Sequence, residues 1–172
     1  MSARQALDAL YRAEMKAIYG FLWKLGAMES EMEDLVHDVF VTAARRWSSY
    51  DPRRPARPWL MGIAYRVYSD VRRSRKPTEE VPELVDARPG PDETVAQQQA
   101  RRVLRAALAT LPEERRTAFV LHELEGVSVN EVTALMDAPL PTTYSRLKLA
   151  REEVARAVQA FRREEARRGG EA

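Results

Sequence analysis

The chain has no cysteine and only two histidines in 172 residues. Without cysteine there is no disulfide framework, thiolate nucleophile or Cys-based zinc site, and a reducing cytoplasm fits. Histidine chemistry has little to work with. Glu33 or Asp34 with His37 has a helical spacing that suits two metal ligands. A helical-bundle metal site needs that pair twice, however, and His122 with Glu123 and Glu125 does not repeat it. Also missing are an apolar run near the ~18 residues of a membrane span and a signal-peptide apolar core after Met1. No alternating strand pattern and no internal repeat occurs. A cytoplasmic all-α protein with no catalytic residues, no cofactor and no metal is the expectation.

What is present is charge, unevenly placed. The formal net charge is only +2 although 31% of residues are charged. Met28 to Asp38 holds five acids and no Lys or Arg, whereas Arg45 to Lys76 holds ten bases against Asp51 and Asp70. A patch this basic fits a polyanion partner or a solvated surface.

Helical stripes account for most of the chain. Leu7, Leu10, Tyr11, Ile18, Leu22 and Leu25 predict an amphipathic helix over 5–25, ended near Gly26. Ser30 and Glu33 have capping-box spacing and open a helix burying Leu35, Val36, Val39, Phe40, Ala43 and Trp47. Glu31, Asp34, His37 and Asp38 then face outward. Ser48 to Pro58, with three prolines and three arginines, is a basic loop. A third helix begins beside Pro58, with Leu60, Ile63, Ala64, Val67 and Val71 inward. Arg66, Ser69, Arg72 and Arg73 face out, and Tyr65 and Tyr68 sit near the boundary. Residues 77–93 carry four of the ten prolines, are acidic and lack periodicity, so they read as a linker. The expected division is a first domain over 1–76 and a second over 94–168.

In the second half, Thr94 to Leu108 is a helix with Val95, Val103, Ala106, Ala107 and Leu108 on its apolar face. In LPEERRTAFVLHELEG, Pro112 suits the first helical position and Gly126 the position after the helix. Ser128 and Glu131 then open a short helix that turns inward Val132, Leu135 and Met136. Asp137 to Leu140 is a tight turn, and a longer helix starts around Pro141. Its stripe is Tyr144, Leu147, Ala150, Val154, Ala157, Val158 and Phe161, with fraying after Arg162. Thr142, Thr143, Ser145, Arg146, Lys148 and Arg151 fall off that stripe. These two helices read equally well as a helix-turn-helix or as a plain helical hairpin.

Taken in order, EDLVHDVFVTAARRW, YDP, WLMGIAYRVYSDVRR and LPEERRTAFVLHELEGVSVNEVTALMDAPLPTTYSRLKLAR resemble the extracytoplasmic-function group of bacterial RNA polymerase sigma factors, over about residues 7–160. The resemblance implies a role in promoter-specific transcription initiation. Glu33, Asp34, His37 and Asp38 would dock on the β′ clamp helices of core polymerase, with the β flap as a further contact. Tyr50, Arg53, Arg54, Arg57, Trp59, Tyr65 and Arg66 would capture and melt the −10 element, Trp59 being favoured as core. Arg72, Arg73, Arg75 and Lys76 would hold phosphates. Thr142, Thr143, Tyr144, Ser145, Arg146, Lys148 and Arg151 would read the −35 element. An anti-sigma factor is a further implied partner. Four positions depart from the family pattern: Ala56 replaces a common aromatic, Pro141 a glycine, and Tyr144 and Leu149 frequent basic residues. A stand-alone helix-turn-helix repressor is the alternative, though it leaves the basic, aromatic first half without a role.

Overall fold

A computed structural model describes residues 3–75 and 92–169, which form two compact units containing helices and no strand. The first unit is α1 (Ala3–Leu25), α2 (Glu29–Arg45), a 3-10 turn (Trp47–Ser49) and α3 (Ala56–Ser74). Its core is Ile18, Phe21, Leu22 and Leu25 from α1, Met32, Leu35, Val39 and Ala43 from α2, and Leu60, Met61, Ala64 and Tyr68 from α3. Each fully buried large side chain contributes about 1.5–3 kcal/mol, so three mutually facing stripes suffice for a small bundle.

The expected starts of α2 and α3 are corrected. Gly26, at φ 101°, ends α1 in the left-handed conformation, and the Ala27 N–H donates back to the Leu22 carbonyl at 3.1 Å. The chain reverses so quickly that Met28 already stands at the N-cap of α2. Glu31, not Glu33, therefore lies three residues on, and its carboxylate accepts the Met28 N–H at 2.8 Å. Glu31 also pairs with Arg75 beyond the end of α3, so it is half-buried rather than outward. Helix α3 starts at Ala56, with Pro58 inside its first turn, where a missing N–H costs nothing. Tyr68 is fully buried rather than at the boundary, because its hydroxyl donates to the Leu25 carbonyl at the end of α1 (3.0 Å). Ser69, expected outward, is buried beside it in sequence.

The second unit is α4 (Val95–Ala109), α5 (Glu113–Phe119) continuing as a π-helical stretch (Val120–Leu124), α6 (Val129–Leu135) and α7 (Leu140–Gly169). Thr94 caps α4 by accepting the Gln97 N–H at 3.2 Å, and Gln97 returns the bond to the Thr94 N–H at 2.9 Å. That cap points Val95 into solvent, 80% exposed, instead of onto the apolar face. Arg116 donates to the carbonyls of Leu108 and Leu111, both at 2.9 Å, and so closes the end of α4 against α5. Pro112 is the N-cap of α5, one position earlier than expected.

Gly126, at φ 71°, takes up the left-handed position after the π stretch, as the sequence indicated. The Val127 N–H returns to Leu121, while the His122 ring donates to the Val127 carbonyl at 2.8 Å. These bonds aim the chain into α6. Helix α7 stays regular to Gly169, where fraying was expected. Gln99 on α4 donates to Glu165 at 2.8 Å, and Arg168 pairs with Glu164 one turn back at 3.0 Å.

Candidate nucleic-acid interface

The start of α7 owes its position to the turn before it. Ser128 caps α6 by accepting the Glu131 N–H at 3.2 Å. Asp137 ends α6 at φ 49°, and the Ala138 N–H reaches back to the Thr133 carbonyl at 3.1 Å. Thr133 then donates its hydroxyl to Thr143 at 3.0 Å, and Thr143 donates to the Pro139 carbonyl at 3.4 Å. Thr143 is only 1% exposed. The expected stripe is therefore shifted by one residue at its beginning. Thr143, Leu147 and Ala150 are buried, and Tyr144 is 56% exposed. Both 143 and 144 lie one turn before Leu147, and the hydroxyl pair decides which of them turns inward. This arrangement is incompatible with Thr143 as a surface contact.

The outward side of the first three turns carries Tyr144, Ser145, Lys148 and Leu149. Leu149, named in the sequence only as a departure from the family pattern, is exposed on this face as well. Thr142, Ser145, Arg146 and Leu149 line a concavity of about 490 Å³, closed on its other side by Pro112, Glu114 and Arg115 at the start of α5. Arg115 is held to Glu153 and Arg151 to Glu123, both by ion pairs. Arg146 and Lys148 make no ion pair among the described residues. A helix start with two uncommitted cations, two hydroxyls and a shallow concavity is shaped for a polyanion in contact with its N-terminal side chains.

The first unit brings its basic loop and aromatics together around α3. Trp47, Tyr50 and Trp59 form a cluster, with Tyr50 4.9 Å from Trp59 and 5.3 Å from Trp47 between ring centroids. The two tryptophans meet edge to face at 6.3 Å. All three are half-buried, so Trp59 is both packed and partly accessible. Asp51 orders the loop that follows: its carboxylate accepts the Arg53 N–H at 3.0 Å and the Arg53 Nε and Nη2 at 2.9 Å each. The Arg53 side chain, and after it the Arg53 backbone N–H, holds the Asp51 carboxyl below its ordinary range, and the Asp51 carboxylate in turn raises the Arg53 guanidinium. Arg57 donates to Glu14 on α1 at 2.7 Å. Arg72 lies over the Tyr68 ring at 5.9 Å, and Arg73 pairs with Asp70. Arg54 and Arg66 are exposed and Tyr65 half-buried. Arg75 is committed to Glu31, and Lys76 lies outside the described residues, as does most of the expected linker.

On the opposite charge, Glu33, Asp34, His37 and Asp38 are all exposed on one side of α2. The first three rim a groove of about 790 Å³ between α1 and α2, floored by Tyr11, Tyr19, Val36 and Phe40. Among the described residues, no group of three or more metal-ligating side chains converges.

The chain matches the family model of sigma-70 region 2 over residues 10–78 and that of sigma-70 region 4 over 101–154. It is 30% identical over 159 residues to the ECF RNA polymerase sigma factor SigE of Mycolicibacterium smegmatis, an alignment covering 89% of this chain and 62% of that protein. It is 28% identical to the ECF RNA polymerase sigma-E factor of Escherichia coli, with 75% of this chain and 74% of that one covered. Two solved structures share the fold. One is CnrH in complex with the cytosolic domain of CnrY, at TM-score 0.67, 24% identity, and coverage of 91% of this chain and 90% of that one. The other is the sigma factor RpoE from Bartonella quintana, in complex with the anti-sigma factor NepR. There the TM-score is 0.74 at 21% identity, covering 90% of this chain and 98% of that one. With the two sigma-70 regions matched in order and sigma factors of the extracytoplasmic-function group aligned along 89% and 75% of this chain, the chain belongs to the extracytoplasmic-function group of the sigma-70 RNA polymerase sigma factors.

Proposed function

We propose that this chain directs core RNA polymerase to specific promoters and starts transcription by binding the −35 and −10 elements and opening the duplex. The observation that carries the reading is the presence of both sigma regions in one chain, each folded as a compact unit with its charged face exposed. Polymerase supplies the chemistry, and this chain contributes recognition with no catalytic residue of its own. The domain assignment is region 2 over 1–76, a linker over 77–93 and region 4 over 94–168.

Within that reading, Glu33, Asp34, His37 and Asp38 dock on the β′ clamp helices, where an acidic face speeds encounter and fixes register. The β flap is the second polymerase contact. Tyr50, Trp59 and Tyr65 take up bases leaving the stack, and Arg54 and Arg66 meet the backbone. Arg53, Arg57, Arg72 and Arg73 contribute as their present partners are exchanged for phosphates. Thr142, Tyr144, Ser145, Arg146, Lys148 and Arg151 read the −35 element, and burial removes Thr143 from that set. An anti-sigma factor is a further partner, supported by the NepR-bound relative. A cytoplasmic location follows from working on DNA, and among the described residues no helix is long and apolar enough to cross a membrane.

Run-off transcription with purified core polymerase and candidate promoters tests the whole reading. A promoter-specific transcript that depends on the added chain is the expected result. Tight binding of duplex DNA by the chain alone, with no transcript, would install the repressor reading instead.

A further inference from the structure

Six large apolar side chains remain exposed among the described residues, and three of them fall within ten residues at the start of α7. They are Leu140 at 40%, Tyr144 at 56% and Leu149 at 37% exposure. At about 100° per residue, Tyr144 and Leu149 lie on either side of a strip whose middle is Lys148 and Ser145. The buried residues Thr143, Leu147 and Ala150 centre on the far side of the helix from the middle of that strip.

From this arrangement we infer that Tyr144 and Leu149 set promoter specificity by packing against the C5-methyl groups of thymines in the −35 element. The inference rests on the assignment of α7 as the −35 reader. In the major groove, the thymine methyl is the one apolar feature a base edge presents. Leu149 can make no hydrogen bond. Placed over a guanine or a cytosine it would strip water from donors and acceptors and offer nothing in return. Tyr144 adds a flat apolar ring with a hydroxyl at its tip. The surrounding groups favour DNA over a protein as the occupant, since Ser145, Arg146 and Lys148 supply hydroxyl and positive charge between and beside the two apolar residues. Hydrogen-bonded readout is left to those three with Thr142 and Arg151.

The test uses holoenzyme reconstituted with the full chain and a promoter library randomised across the −35 region. Thymine is expected at one or more selected positions. Replacing that thymine with deoxyuridine removes only the methyl group and should weaken holoenzyme binding about fourfold, the worth of one buried methyl. In Leu149→Ala or Tyr144→Ala the same replacement should have little further effect. Thermal melting should show both variants folded, with a modest drop for Leu149→Ala, whose side chain is only 37% exposed. An element selected without any uracil penalty would overturn the inference and leave the −35 assignment standing. Unchanged binding by both alanine variants would also overturn it, pointing to a protein as the occupant of this face. No selection at −35, together with indifference to Arg146→Ala, would instead remove the −35 assignment itself.

Discussion

Thr143 and Asp137 show how single residues set the pose of the reading helix. Thr143→Val keeps the shape of the side chain but removes the hydroxyl that accepts from Thr133 and donates to the Pro139 carbonyl. Leaving buried polar groups without partners should cost about 1–2 kcal/mol, read by urea unfolding. Thr142→Ala, at a half-exposed neighbour, should stay within about 0.5 kcal/mol. Equal losses in the two variants would refute the pin. Asp137 is the one non-glycine residue with positive φ among those described. Asp137→Gly relieves that strain and should raise stability by about 0.5–1 kcal/mol in the same measurement. The sequence could announce a turn here through Pro139, but not which side of the register the next helix would bury. Residues 143 and 144 both satisfy the spacing to Leu147, and the deciding partner, Thr133, lies on another helix.

Among elements, helices with wide stripes were legible and their ends less so. Leu35, Val39 and Ala43, or Leu60 and Ala64, leave α2 and α3 no other face to bury. The start of α2 was misread because two glutamates compete for the capping position, and the reversal at Gly26 chooses Glu31. The partners of the basic residues were illegible for a simpler reason. Arg57 of α3 meets Glu14 of α1, and Arg75, just past the end of α3, meets Glu31 of α2, pairs that only the packed bundle brings together.

Asp51 and Arg53, by contrast, are neighbours, and their pairing has a defined pH dependence. The folded-state pKa of Asp51 is depressed, so the pair contributes above the unfolded pKa and is lost as pH falls through the folded one. The loop should therefore be unchanged between pH 6 and 8 and loosen only in acid, below the ordinary carboxylate range of about 3.9. The Arg53 Nε–H resonance should show this as a protected signal at neutral pH. In Asp51→Asn, protection at neutral pH should fall. A signal as protected in that variant as in the parent would show that the carboxylate does not hold the guanidinium.

For the whole molecule, the two charged faces lie in different units and should fail independently. Asp34 and Asp38 are exposed, with no ion pair among the described residues, so replacing them removes charge without leaving a buried partner. Asp34→Asn combined with Asp38→Asn should slow association with core polymerase and flatten its salt dependence, because acidic rim charges act mainly on encounter. Binding to a −35 duplex should be unchanged in the same protein. Arg146→Ala should do the reverse: core affinity stays, while −35 binding weakens by about 1–3 kcal/mol if a base contact is lost. Arg151→Ala separates a further case, because Arg151 starts from an ion pair with Glu123 that DNA would have to displace. Its loss should therefore cost less than that of Arg146, whose guanidinium has no pair to give up. Core affinity measured by fluorescence titration, and duplex affinity measured on the same preparations, decide the matter. A double Asp variant that bound core polymerase as fast as the parent at low salt would remove the acidic face of α2 from the docking surface, whatever the −35 measurements gave.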